Sequence, residues 1–194
     1  MKKLIVLLCI LSCPILVFSK TETAIFAGGC FWCLEVDFDK LNGVISTESG
    51  YDGGTQKNPT YETVSSGTTN YAESVKVVFD SNKVTYKEVV NYFWHHIDPT
   101  QNNGQFCDHG KQYRSEIFYL NNEQKEIALQ SLSEMKKKFT KVYTTVAPST
   151  HFYPAETYHQ DYYQKNPLRY KYYRWRCGRD EQVENVWNQA TENN

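Results

Sequence analysis

The 194-residue chain carries almost no net charge: 21 lysines and arginines face 22 acidic residues, a formal balance of −1. No bulk electrostatic pull toward nucleic acid results from that balance. The chain also lacks an uninterrupted apolar run of the roughly 20 residues a membrane helix needs. It has no internal repeat and no linker, so its length is that of one domain with a real core. It contains no flavin, nicotinamide or metal motif, and no bound cofactor and no metal are expected. Its five histidines, His95, His96, His109, His151 and His159, stand in no protease context, which removes the thiol-protease reading of a cysteine.

The N-terminus reads as a targeting segment. Lys2 and Lys3 precede the apolar run Leu4 to Leu11, and Pro14 separates that run from Ile15-Leu16-Val17-Phe18-Ser19. Residues 1–19 are read as an export signal, and the expected location is periplasmic or extracellular. Two processing sites fit. Val17-Phe18-Ser19 suits cleavage before Lys20, whereas Ile10-Leu11-Ser12-Cys13 resembles a lipoprotein box that would leave Cys13 lipidated and the chain anchored. Residues 20–194 then form a single catalytic domain, with 164–194 as its tail.

Four cysteines remain in that domain: Cys30, Cys33, Cys107 and Cys177. In an exported protein they would ordinarily make two structural disulfides. Cys30 stands differently. The apolar run Ala24-Ile25-Phe26-Ala27 reads as a strand, then come Gly28 and Gly29. Phe31, Leu34, Phe38 and Leu41 recur at helical spacing after it. A cysteine at that helix N-terminus faces unpaired N–H groups and the positive end of the dipole, which favour a thiolate, the nucleophilic form. Cys30-Phe-Trp-Cys33 is also a dithiol spacing.

Along the chain, strands are expected at Gly43–Ser46, Ser74–Phe79, Ile117–Leu120 and Val142–Val146. Thr85 with Glu88 reads as a capping box opening a helix, and Asp98-Pro99 closes it. Asn121 with Gln124 caps a helix whose Ala128, Leu132, Met135 and Phe139 form the buried stripe. A short helical piece is expected from Asn58-Pro59 and another from Phe152 to Tyr163. Thr100 to Arg114 is a long polar loop, the kind that carries function. The fold class is α+β: a two-layer, ferredoxin-like sandwich with a mixed sheet, helices and a long irregular C-terminal segment.

Six blocks then occur in order: Gly28-Gly-Cys-Phe-Trp-Cys-Leu-Glu35, Gly50-Tyr-Asp-Gly-Gly54, Asn58-Pro-Thr-Tyr61, Tyr71-Ala-Glu73, Asp108-His-Gly-Lys-Gln-Tyr-Arg-Ser115 and His159-Gln-Asp-Tyr162. Together they resemble the peptide methionine sulfoxide reductase A family over roughly Thr23 to Asn188. The resemblance implies thiol-dependent reduction of methionine S-sulfoxide, free or peptide-bound, in the repair of oxidised proteins. It implies Cys30 as nucleophile, passing through a sulfenic acid. It implies Glu73, Tyr61 and Tyr113 as donors to the sulfoxide oxygen and Asp108 as a polar lining residue. Phe31 and Trp32 become the wall for the substrate methyl group, with Tyr162 and Tyr170 as further site tyrosines. Where many family members have His-Ala-Glu, this chain has Tyr71-Ala72-Glu73.

The chemistry agrees with those residue types. A sulfoxide oxygen leaves only when protonated, which calls for a carboxylic acid kept neutral near pH 7 by burial. Arg114 is a concern, because pairing with Glu73 would lower that pKa. Cys177, Cys33 and Cys107 all remain candidates to resolve the sulfenic acid. The resemblance implies a thioredoxin-like reductant for the resulting disulfide. Monomer is the default assembly.

Three other readings have specific residues behind them. A general thiol–disulfide oxidoreductase would use Cys30-x-x-Cys33 alone. A zinc site would take Cys30, Cys33, Cys107, His109 and Cys177. A single-strand nucleic-acid surface would use Arg169, Lys171, Arg174, Arg176 and Arg179 interleaved with Tyr170, Tyr172, Tyr173 and Trp175. The net charge speaks against that last partner, and no nucleic acid is expected.

Overall fold

The computed structural model describes residues 20–192. The expected export signal, with Cys9 and Cys13, lies outside the described residues. In chain order the first elements are β1 (Thr21–Gly28), α1 (Phe31–Asp39), β2 (Val44–Asp52), α2 (Tyr61–Ser65), β3 (Ala72–Asp80) and α3 (Tyr86–Trp94). Two short strands come next, β4 (Gly104–Gln105) and β5 (Asp108–His109), then β6 (Ser115–Tyr119), α4 (Asn122–Lys138), β7 (Thr145–Pro148) and β8 (Tyr153–Pro154). Three helices close the chain: α5 (Tyr162–Lys165), α6 (Pro167–Cys177) and α7 (Arg179–Glu192).

Six strands form one sheet in the order β7-β6-β1-β3-β2-β8. β6 and β7 run parallel and the other neighbours antiparallel, so the sheet is mixed. β1, α1, β2, β3, α3 and β6 make the split βαβ pattern of the expected ferredoxin-like α+β sandwich.

Strand alternation divides the core. Ala24 and Phe26 of β1 face the helices, while Ile25 and Ala27 face the other side with Ala72 and Phe118. Phe26 is fully buried and stacks on Phe38 of α1 at 5.1 Å and on Phe93 of α3 at 4.9 Å. Burying such a ring stabilises the fold by about 1.5–3 kcal/mol. Both expected caps are present: Thr85 and Glu88 form a reciprocal box, and Asn121 accepts from the Gln124 N–H at 2.9 Å.

The tail corrects the expectation of an irregular segment. α6 and α7 are regular helices, and their pattern is hard to read because α6 buries only Tyr170. Its boundaries come from Pro167 in the first turn and Gly178, whose φ of 65° ends it in a left-handed cap. α7 adds Trp187 and Ala190 to the main core. Arg179 ties the junction down: its Nη1 donates to the Gly28 carbonyl at 3.1 Å and its Nη2 to the His96 carbonyl at 2.8 Å.

Two shorter stretches also differ. The strand expected at Val142–Val146 lies further on, at Thr145–Pro148, where β6 offers a parallel edge. Within Phe152–Tyr163, the start is strand β8, paired to β2, and only the end turns into α5. The edge of β2 wins over local helical preference there.

Candidate active site

Cys30 stands just before the first turn of α1, where its carbonyl accepts from the Cys33 N–H at 3.1 Å and the Leu34 N–H at 3.3 Å. Glycine is needed on its N-terminal side. Gly29 has φ +84°, and a Cβ there would lie 2.7 Å from Gln105 Cβ. The close approach brings the loop before Asp108 against the start of α1.

Cys30 is 5% exposed. Burial pushes its pKa well up, and a hydrogen bond with Cys33 and the charges of Cys33, Glu73 and Asp108 act the same way. The expectation of a thiol acidified by the helix terminus is therefore corrected: desolvation wins and the resting thiol keeps its proton. Cys33 shifts the other way. The hydrogen bond from Cys30 and the guanidinium groups of Arg179 and Arg174 draw it down against its own burial.

Glu73 lies within β3 opposite Tyr51 and is 2% exposed. Burial raises its carboxyl from 4.5 to about 8, although Oε2 accepts from the Phe31 N–H at 3.1 Å. Arg114 does not lower it, because Arg114 Nε is committed to Glu116 at 2.7 Å. The concern about Arg114 is thereby resolved by geometry. Beside Glu73 stand two phenols. Burial and the Glu73 charge raise Tyr61 to about 12 and move Tyr113 further up, so both keep their protons as donors.

These groups enclose a cavity of about 90 Å³ lined by Cys30, Phe31, Trp32, Tyr61, Glu73, Asp108, Tyr113 and Tyr173. Seven of the eight are residues expected from the sequence. Size does not select the site: a cleft of about 580 Å³ beside Phe139 and Ala190 is lined by no cysteine and no carboxylic acid.

Tyr162 does not line the cavity. It stacks on Trp32 with ring centroids 3.7 Å apart and planes 6° apart. Tyr170 lies behind the cysteines, its hydroxyl accepting from Arg174 Nη1 at 3.0 Å. It supports the far side rather than facing substrate. Cys107 and Cys177 are bonded to each other, while Cys30 and Cys33 are free thiols. The bonded pair cannot supply thiolates to a metal, so the zinc reading loses two ligands. The basic tail is also not one surface, since Arg174 and Arg179 turn inward to Asp37.

Three contributors carry no assignment from sequence alone. Tyr173 is only one ring in an aromatic stretch, yet its hydroxyl donates to Asp108 Oδ2 at 2.6 Å. His159, within a motif block, accepts at Nδ1 from Trp32 Nε1–H at 3.1 Å. Burial lowers its pKa, so the ring is neutral, with its proton on Nε2. Glu35, buried on α1, faces the backbone of Asp161, the residue before Tyr162, and that neighbour tempers the rise that burial gives its carboxyl.

A family model described as peptide methionine sulfoxide reductase matches residues 22–191. The chain belongs to that family. It is 46% identical over 170 residues to the peptide methionine sulfoxide reductase MsrA of Limosilactobacillus reuteri, covering 86% of this chain and 97% of that one. It is 48% identical over 169 residues to the MsrA/MsrB protein of Vibrio cholerae, covering 86% of this chain but 45% of that longer relative. The solved methionine sulfoxide reductase A of Corynebacterium diphtheriae superposes with a TM-score of 0.74 at 35% identity, covering 76% of each chain. In family terms the cavity joins a thiol, a neutral carboxylic acid, two phenols and an apolar wall. That set can transfer an oxygen atom from sulfur to sulfur while supplying and recovering one proton.

Proposed function

We propose that the chain reduces methionine S-sulfoxide, free or peptide-bound, to methionine. One observation carries the reading: Glu73, 2% exposed, lines the same cavity as Cys30, and that burial raises its carboxyl to about 8. Phe31 and Trp32 take the substrate methyl group, and Tyr61 and Tyr113 donate to the sulfoxide oxygen. Cys30 sulfur attacks the sulfoxide sulfur as Glu73 protonates the oxygen. Glu73 then recovers the proton the thiol gives up. The sulfur–oxygen bond of the substrate breaks, methionine leaves, and Cys30 becomes a sulfenic acid. Positioned proton transfer of this kind typically contributes ~10²–10⁴-fold.

Cys33 resolves the sulfenic acid in this reading. Its thiol attacks Cys30 sulfur, water leaves, and a Cys30–Cys33 disulfide forms. Support comes from the contact of the two free thiols and from the engagement of Cys107 with Cys177. A thioredoxin-like dithiol then reduces the new bond. A general disulfide oxidoreductase would need the dithiol but would leave Glu73, Tyr61 and Tyr113 without a task.

Residues 1–19 serve as an export signal in the same proposal, and the mass of the mature chain distinguishes a start at Lys20 from a lipidated Cys13. The function is tested by dithiothreitol-driven reduction of a methyl sulfoxide, wild type against Cys30→Ser. Methionine from the wild type alone is the expected result. No turnover by the wild type overturns the reading, and turnover surviving in the variant moves the nucleophile elsewhere.

A further inference from the structure

The Cys107–Cys177 bond is not needed for the two steps above, yet it is attached to the cavity. Asp108, next to Cys107, lines the cavity, and so does Tyr173, which lies one helical turn before Cys177 on α6. Two neighbouring loop residues are thus fastened to two residues on one face of a helix. One fastening is covalent, Cys107 to Cys177. The other is the hydrogen bond from the Tyr173 hydroxyl to Asp108 Oδ2 at 2.6 Å. The Tyr173 ring meets Trp32 edge-on at 6.0 Å, so the two rings form a continuous part of the cavity wall.

The loop end of this fixture is a turn under tension. β4 and β5 pair Gln105 with Asp108, leaving only Phe106 and Cys107 between them. Phe106 has φ 57°, a left-handed conformation costly for a bulky side chain. The Gln101 side chain clamps it from one side through the Phe106 carbonyl at 3.0 Å. From the other side, the Cys107 N–H donates to Cys177 Sγ at 3.3 Å. Cys107 is exposed at the surface, whereas Cys30 and Cys33 are buried.

We propose that Tyr173 is a positioning residue that holds Asp108 at the cavity, and that the Cys107–Cys177 bond is a latch keeping the two together. The proposal rests on the sulfoxide reductase reading. Opening needs an external dithiol. The sulfur–sulfur bond breaks, Cys107 and Cys177 each gain one electron and one proton, and the dithiol closes to its own disulfide. The released turn relaxes at Phe106, Asp108 loses its Tyr173 donor, and substrate is held less tightly. A reductant that recycles the buried cysteines therefore also loosens the pocket when it reaches Cys107.

The test is one turnover without added reductant, with the rate of the first methionine released per chain followed across a series of methyl sulfoxide concentrations. The same full-length protein is compared with the Cys107–Cys177 bond intact, verified by peptide mapping, and after reduction and anaerobic removal of the reductant. Reduction should raise the apparent dissociation constant about three- to tenfold, the range of one net hydrogen bond, with a smaller change in the limiting rate. Tyr173→Phe with the bond intact should show a similar rise, and reducing that variant should add little more. Equal constants in the intact and reduced wild type overturn the latch. Fully additive effects of reduction and Tyr173→Phe overturn the link through Tyr173. Absence of methionine in every form overturns the reductase reading and this proposal with it.

Discussion

Replacing Glu73 by glutamine should stabilise the protein while disabling it. In the unfolded chain the carboxyl ionises near its ordinary 4.5, whereas in the fold it keeps its proton to about 8. Between those values folding takes up a proton, so this group's contribution to stability declines as pH rises through the window. Each pH unit is worth ~1.4 kcal/mol, so the full cost approaches about 4–5 kcal/mol at alkaline pH and about 3 kcal/mol near pH 7. Glutamine resembles the protonated acid, and its carbonyl oxygen can still accept from the Phe31 N–H, but it does not titrate. Urea unfolding of both chains, followed by tryptophan fluorescence at several pH values, reads the difference directly. The two should match most closely near pH 4.5 and diverge upward in favour of the glutamine chain toward pH 9. Glu35, which burial raises to about 7, is present in both and cancels. Sulfoxide reduction should fall ~10²–10⁴-fold in the variant. A stability difference that stays flat across the range would refute the reasoning, because it would mean Glu73 is ionised in the fold.

The same geometry sets four other outcomes. The rate of the first turnover should decline above about pH 8 as Glu73 loses its proton, and a stopped-flow profile checks it. Cys33→Ser should release one methionine per chain at a near-normal rate and then stall when a thioredoxin-like protein is the reductant, which burst kinetics would show. Trp32→Phe should lower stability by about 1–3 kcal/mol, since His159, 2% exposed and already without a hydrogen bond at Nε2, would lose its partner at Nδ1 as well. Thr85→Ala removes the α3 cap and should cost about 0.5–2 kcal/mol in denaturant without touching turnover.

Local signals in the sequence are enough to place much of this. The strand, two glycines and cysteine before α1 are readable from apolar spacing, as are the caps at Thr85 and Asn121. The ordered motif blocks identify seven cavity residues. Features set by distant contacts are not readable. The Cys107–Cys177 pairing joins positions 70 residues apart. Tyr173 belongs to a helix that shows almost no buried stripe, so neither its secondary structure nor its target can be inferred. The pKa of Cys30 is misjudged from sequence for a related reason. A helix terminus is visible in the sequence, whereas the desolvation that overrides it depends on walls brought by β3, the Asp108 loop and α6.

The hydrogen bond from Arg179 to the Gly28 carbonyl spans 151 positions of sequence. Ribosomes deliver the chain from its N-terminus, so the stretch bearing the nucleophile emerges long before its closing partner. Until residue 179 arrives, the carbonyls of Gly28 and His96 lack this donor and the buried Asp37 lacks this guanidinium. A chain cut short before Arg179 keeps the Cys30 motif but loses the guanidinium that ties Gly28, His96 and Asp37 together, so the backbone leading into α1 is left without that fastening.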